Sequence, residues 1–369
     1  MLRLPVAALN HARSLDEAMT ALDGLTALAQ NVTIVTAAGD IAYRVSGLGP
    51  VRRVSGLTPQ PATLGEWDGL EPAAARRRIV YPAGDAPTRY LATANERIWV
   101  DTFGQHWHDD DRKERITAVL ASRQDFSRAD MEKLHVDMYG RFRRELLLWL
   151  ADRAAPTGGP AKALVDRWRA WDGTPQGDPR TFSEADLARD TLTNVLVGRV
   201  RARFLASDAD VPYECPLKRG FLLDIIGAPG DSGVAPFGLT AQGVAQYVID
   251  HVLAKDPTLV LHPADNAWDG KHPFVGRVPV LGALFRVASP QQWGSRDLVA
   301  AEGPHWGPSM RVVWDLSRPW ESTWIFPVGQ SGHAGSAHYA DMQAPWMASQ
   351  RLQVFSDGFD WEFGSRAPH

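Results

Sequence analysis

Asn31–Val54 reads NVTIVTAAGDIAYRVSGLGPVRRV, and this stretch sets the fold class. Apolar and β-branched residues flank Gly39-Asp40, the pattern of two strands around a turn, and Gly47–Pro50 reads as a second turn. Upstream, Ser14-Leu-Asp-Glu17 fits a helix N-cap with a capping box, followed by Ala18, Met19, Ala21 and Leu22 at helical spacing. Downstream, residues 88–103 read as a further strand or two around a polar centre. The period then changes. Arg112–Arg123 and Asp125–Asp152 read as helix, with Met131, Leu134, His135, Met138, Phe142 and Leu146 on one i, i+3, i+4 face. Ala161–Trp171 is a further helix stopped by Asp172-Gly173, and residues 182–256 hold more helix around a Pro/Gly-rich break at 225–238. Strands return at Ser309–Leu316, Glu321–Pro327 and Leu352–Ser356. Strands, then helices, then strands predict a layered α+β fold with a helical insertion at about 112–256.

Composition narrows the function classes. The chain has 369 residues, 44% hydrophobic and 22% charged, enough apolar material for a sizeable core. Lys+Arg is 39 and Asp+Glu is 43, a balance that argues against a dedicated nucleic-acid binder. The single cysteine, Cys215, excludes an internal disulfide framework and any multi-Cys zinc site. The apolar stretch Leu4–Leu9 is too short for a secretory leader, and no stretch approaches 18 apolar residues, so no membrane span is expected. Tryptophan is the unusual count, 14 against 7 Tyr, and points to large packing surfaces.

Four features could carry chemistry, each with a plainer alternative. His106-Trp-His108-Asp-Asp-Asp111 has donors that suit zinc or iron; it also reads as a solvated turn whose acids favour the N-terminus of the helix at 112. Gly329-Gln-Ser331-Gly332-His333 has the look of a nucleophile elbow, but His333 stands where the second glycine belongs. Cys215, in Glu-Cys-Pro, carries no neighbouring signature and reads as a structural thiol. Asn95 interrupts a strand-like segment where Asn is disfavoured: it marks either a bulge or a carboxamide aimed at a developing oxyanion.

Several segments together resemble the penicillin acylase family of N-terminal-nucleophile hydrolases. Gln30-Asn31…Gly39-Asp40-Ile41-Ala42-Tyr43 is similar to the family's "QN…D.GNIGY" hairpin, and Pro50-Val51-Arg52 to the "P.R" after it. Thr93-Ala94-Asn95-Glu96-Arg97 is similar to "TANxR", Arg112–Ile116 to "R..RI", and Leu134–Tyr139 to the "Q.D.YS" helix. Trp171-Asp172-Gly173 matches "WDG". Near the C-terminus, Gly307–Leu316 resembles "GPS.R.V.DL" and Pro327–Tyr339 resembles "PGGQSG…SPHY", with Ala337 in place of Pro. The resemblance runs from about residue 7 to 356.

The resemblance implies a sandwich of two sheets covered by helices (αββα), a single incomplete domain over 1–369, and hydrolysis of a linear amide in a small N-acyl substrate such as a β-lactam or an acyl-homoserine lactone. Self-cleavage of a precursor would expose a serine that serves as nucleophile and, through its α-amine, as base. By the same resemblance Asn95 donates to the oxyanion and Arg115 supports the site. Catalysis would use no cofactor; family members hold structural Ca2+, most of whose ligands are not among these residues. The family's large subunit starts Ser-Asn-x-Trp, which occurs nowhere in the 369 residues, so the chain looks like the C-terminal part of a large subunit. The nucleophile would come from the missing N-terminal part of the large subunit; that part and the small subunit are the expected partner chain, and the location would be periplasmic or extracellular. A non-catalytic remnant or pseudoenzyme is a second reading, and a metal hydrolase using His106, His108 and Asp110 a third. The matched motifs assign Trp171, Trp314, Trp324 and Trp346 to packing in the sandwich, and leave Ser331, His333 and His338 in a loop with packing as the default.

Overall fold

The structure is a computed structural model that describes residues 5–26, 29–51, 61, 69–72, 78–81, 90–97, 107, 109–204, 219–255, 271–272, 274–287, 293–303 and 306–355. The elements in chain order are α1 (Val6–His11), α2 (Leu15–Asp23), β1 (Asn31–Val35), β2 (Ile41–Val45), β3 (Leu48–Pro50), β4 (Leu70–Pro72) and β5 (Arg78–Tyr81). There follow α3 (Asp111–Ala121), α4 (Arg128–Leu134), α5 (Arg141–Ala154), α6 (Gly159–Ala170), α7 (Pro179–Phe204), α8 (Arg219–Gly227) and α9 (Ala241–Ala254). The last group is α10 (Leu281–Leu284), β6 (Arg311–Val313), β7 (Thr323–Ile325), α11 (Gln343–Met347) and β8 (Leu352–Gln353). The fold is therefore mixed helix and sheet, α+β. The chain divides into two compact units: one of residues 1–128, 314–322 and 354–369, the other of 129–313 and 323–353.

In the first unit, β1, β2 and β5 form an antiparallel sheet with β2 central, in register Val32↔Arg44 and Tyr43↔Ile79. The hairpin closes as the sequence predicts. Gly39 takes φ 96, and Thr36 and Asp40 bond each other through side chain and backbone, including Thr36 Oγ1 to Asp40 Oδ2 at 2.8 Å. The second turn differs from the reading: after Gly47 (φ 84) the chain enters β3, which pairs with β4. Both faces of β2 are buried, and alternation divides them. Ala42 packs with Met19 and Leu22 of α2, while Arg44 Nη1 donates to the Met19 carbonyl at 2.8 Å and pairs with Asp23 at 2.7 Å. On the other face Tyr43 and Val45 pack with Ile79, Leu91 and Trp107. α2 starts as the Ser14–Glu17 pattern requires. Ser14 Oγ accepts from the Glu17 amide at 3.1 Å, while the Glu17 carboxylate reaches past the cap to the Arg13 amide at 2.7 Å.

The second unit is built round α5, which contacts α6, α7, α8 and α9. Phe142, Leu146, Leu147, Leu150 and Ala151 are all buried, so α5 is apolar on most of its circumference, as a central helix must be. α9 brings Val244, Ala245, Val248, Ile249 and Val252 at i, i+3, i+4 spacing, and α7 brings Leu192 and Leu196. Each such Leu, Ile or Val contributes about 1.5–3 kcal/mol by leaving water. The single helix expected over 125–152 breaks at 135–140. There the Gly140 amide donates to the Gly173 carbonyl at 2.8 Å, and Gly173 takes φ 90 with the Tyr139 ring against its Cα; a Cβ would stand 2.6 Å from that ring.

A second small antiparallel sheet, in order β6-β7-β8, rests on Ile325, Met342 and Trp346. Arg311 of β6 is buried, bonds Glu302 at 2.5 Å and lies 3.8 Å over the Trp346 ring. The tryptophan assignment needs correction. Trp171 is buried, but in the helical core against Phe182, with its indole N–H on the Thr174 carbonyl at 2.8 Å. Trp314 is 58% exposed and packs nothing away.

His135, on the predicted apolar face, is half-buried with no partner for Nδ1 among the described residues. Burial first, then the charges of Arg351 and Arg311, push its pKa down to about 4, against a smaller opposing effect of Glu132. A folded pKa below the unfolded value of about 6.5 means the neutral ring stabilises the fold above that pH, and that the contribution is lost as pH falls from 6.5 toward 4. About 3 kcal/mol is at stake over that window. His135→Gln is expected to flatten the acid limb of a Tm-against-pH curve between pH 6.5 and 4; a limb unchanged from the parent would refute the assignment.

Candidate active site

Asn95 falls in the first unit, on a segment that is not a strand. Residues 90–97 run as irregular backbone with a bend at Ala94 and Asn95. Leu91 anchors the segment to Tyr43 and Val45 of β2. Ala94 and Glu96 are buried, and Asn95, between them, is exposed. Asn95 has φ 66, the left-handed region that non-glycine residues seldom adopt and that Asn tolerates best. This is why Asn stands in an otherwise strand-like stretch: the chain bends there.

The bend is held from α3. Arg112 Nη2, in the first turn of that helix, donates to the Ala94 carbonyl at 2.7 Å and to Asn95 Oδ1 at 2.8 Å. Arginine can only donate, so the atom it faces is the carboxamide oxygen, and the NH2 is the end left to act on a ligand. Lys113 Nζ donates to the Ala92 carbonyl and stands 3.7 Å from Glu96 Oε1, while Glu96 Oε2 accepts from the Ala94 amide at 2.6 Å. An exposed carboxamide with its oxygen tied and its NH2 available is a hydrogen-bond donor of fixed position. Such a group can stabilise negative charge that develops on a carbonyl oxygen during acyl transfer.

Arg115 lies on α3 as well, half-buried, three residues beyond the guanidinium that reaches Asn95. The "R..RI" pattern holds both arginines, and Arg112 is the one that bonds Ala94 and Asn95. Glu96 and Lys113 were not singled out by sequence. Their signal was present: a carboxylate next to Asn95 in a segment otherwise burying apolar side chains.

His106, His108 and Cys215 lie outside the described residues. Asp110 is the N-cap of α3, its carbonyl accepting from the Glu114 amide at 2.8 Å. Ser331, His333 and His338 sit in the second unit and build a turn rather than pack. The Gly329 and Ser331 amides bond the Tyr339 and His338 carbonyls, each at 3.0 Å, and the exposed His338 ring meets Asp341 at 2.8 Å. Among the described residues no cluster of three or more His, Cys, Asp and Glu side chains is placed to hold a metal, and no helix is long and apolar enough to cross a membrane.

Comparison with known proteins agrees with the motif reading. The family model for penicillin amidase matches residues 4–358. The penicillin acylase 2 proenzyme of Pseudomonas sp. (strain SE83) is 25% identical over 86% of this chain and 42% of its own length. The acyl-homoserine lactone acylase QuiP of Pseudomonas syringae pv. tomato is 24% identical over 94% of this chain and 46% of its own. The chain thus spans less than half the length of these curated relatives. A penicillin G acylase from Alcaligenes faecalis shares the fold with a TM-score of 0.64 and 15% identity, over 99% of this chain and 71% of that one. On the match across nearly its whole length, the chain belongs to the penicillin amidase family.

Proposed function

We propose that the protein of which this chain is a part hydrolyses the linear amide of a small N-acyl substrate, and that this chain supplies the carboxamide side of its oxyanion hole. The observation that carries the reading is Asn95, exposed at φ 66 with its oxygen tied to Arg112. A serine hydroxyl attacks the substrate carbonyl and its proton passes to the serine's own α-amine. The carbonyl electron pair moves onto oxygen, where the Asn95 NH2 donates. Collapse expels the amine, which takes the proton, and water then releases the acyl group from the serine. The serine is placed outside these 369 residues, none of which form a Ser-Asn-x-Trp start. The names of the relatives suggest a β-lactam nucleus or a homoserine lactone as the leaving amine. The same missing motif favours a second reading, a pseudoenzyme that binds such ligands without turning them over.

The test is hydrolysis of phenylacetyl- and fatty-acyl-4-nitroanilides by the 369-residue chain alone and by the protein in its full encoded form. Without the nucleophile the chain alone is expected to lack turnover, since loss of a nucleophile removes about six powers of ten in kcat. The full form is expected to release nitroaniline at ordinary enzyme rates. Turnover by the chain alone would overturn the placement of the serine; a full form that binds these amides without cleaving them would establish the pseudoenzyme instead.

A further inference from the structure

We propose that Glu96 and Lys113 are positioning residues for Asn95, a clamp that keeps the bend in the one backbone shape that presents its carboxamide. The proposal rests on the reading of Asn95 as an oxyanion donor and adds what fixes that donor in place. A left-handed Asn returns to ordinary backbone unless its surroundings over-determine it. Here they do. Glu96 Oε2 reaches back across Asn95 to the Ala94 amide at 2.6 Å, so the residues on either side of the bend are joined by a side chain. Glu96 is 7% exposed, and a carboxylate at that depth requires compensation. Lys113 provides it from 3.7 Å, and its Nζ also takes the Ala92 carbonyl. Arg112 takes the Ala94 carbonyl and the Asn95 oxygen.

Both cations are consecutive residues in the first turn of α3. The helix therefore grips the bend at Ala92, Ala94 and Asn95, and Glu96 locks it from within. Glu96 fills the unspecified position of the "TANxR" pattern. A carboxamide free to swing must be ordered again at each turnover; one held by three charged side chains is ordered in advance, which is what a donor to a transient charge requires.

The experiment reads the bend itself, in the deuterated, 15N,13C-labelled protein in its full encoded form. Loss of a hydrogen bond to a charged group is expected to speed Ala94 amide exchange about tenfold to a hundredfold in Glu96→Ala. The Asn95 Cα and Cβ shifts should leave their left-handed values, while the amides of α5 stay protected. Glu96→Gln keeps an acceptor oxygen and is expected to restore most of the protection. Lys113→Met is expected to loosen the same amide without moving α5, and it decides the matter if Glu96→Ala does not fold. Unchanged Ala94 exchange and Asn95 shifts would overturn the proposal. So would loosening that spreads equally to α5, because Glu96 would then hold the unit rather than the bend. Failure of the oxyanion reading shows separately, as full turnover without the Asn95 carboxamide.

Discussion

Arg143→Met is expected to destabilise the second unit by about 3–5 kcal/mol, the range for removing one partner of a buried ion pair. Arg143 is 2% exposed and its guanidinium meets three acceptors. It bonds the Asp297 carboxylate, stands 2.9 Å from Asp186 and donates to Ser295 Oγ at 3.1 Å, with its plane 4.2 Å over the Phe182 ring. Burial alone would raise the pKa of Asp297. The Arg143 charge, with the more distant Arg219 and the Ser295 hydroxyl, outweighs it and holds the carboxyl at about 2. That depressed value means the pair stabilises the fold above the unfolded pKa of 3.8, and that its contribution fades as pH falls from there through about 2. Methionine would leave Asp297 in the core without its bonded countercharge. Thermal unfolding at pH 7 should show a drop of roughly 10 °C. Adding Asp297→Leu should recover most of it, because exchanging both partners for apolar groups is often neutral or better. Asp186 keeps Arg189 at 2.9 Å in either variant. A single variant that melts with the parent would show that the pair contributes nothing net.

Asn95→Ala in the full encoded form is expected to lower kcat for an acyl-4-nitroanilide by about 10²–10³, with KM little changed, as for loss of one oxyanion donor. Alanine also removes a residue suited to φ 66, so Asn95→Gly is the sharper variant. Glycine takes the left-handed conformation without strain and lacks only the carboxamide. Both variants should lose kcat alike. If glycine turns over as the parent does, Asn95 shapes the chain and stabilises no charge. If alanine alone fails, the defect lies in the backbone.

The periodic parts of the sequence were legible. β1 and β2 follow from the apolar and β-branched residues around Gly39, α6 from its amphipathic spacing, and β6, β7 and β8 from the strand pattern that returns near the C-terminus. What was missed depends on partners distant in sequence. The break between α4 and α5 at 135–140 is set by Gly140 docking on Gly173, 33 residues away, which local spacing cannot reveal. β3 looked like a turn because Gly47–Pro50 is turn-forming alone, and only its pairing with β4 makes it a strand. Asn95 was visible as an anomaly and, through the family pattern, as a candidate. Arg112, which bonds that carboxamide, carried no signal of its own, because its partners Ala94 and Asn95 lie 18 and 17 residues away.

The two faces of β2 carry a consequence for assembly. Arg44 looks toward α2, where the Met19 carbonyl and Asp23 take its charge, and Tyr43 looks toward Leu91. A slip of one residue would exchange them. Arg44 would leave the Met19 carbonyl and Asp23 for the cluster of Val45, Ile79, Leu91 and Trp107, and the Tyr43 ring would meet a carbonyl fitted for a guanidinium. The central strand is thus proofread by its own side chains: a mispaired hairpin loses both sets of partners, and the segment that carries Asn95 loses the seat that Tyr43 and Val45 give Leu91.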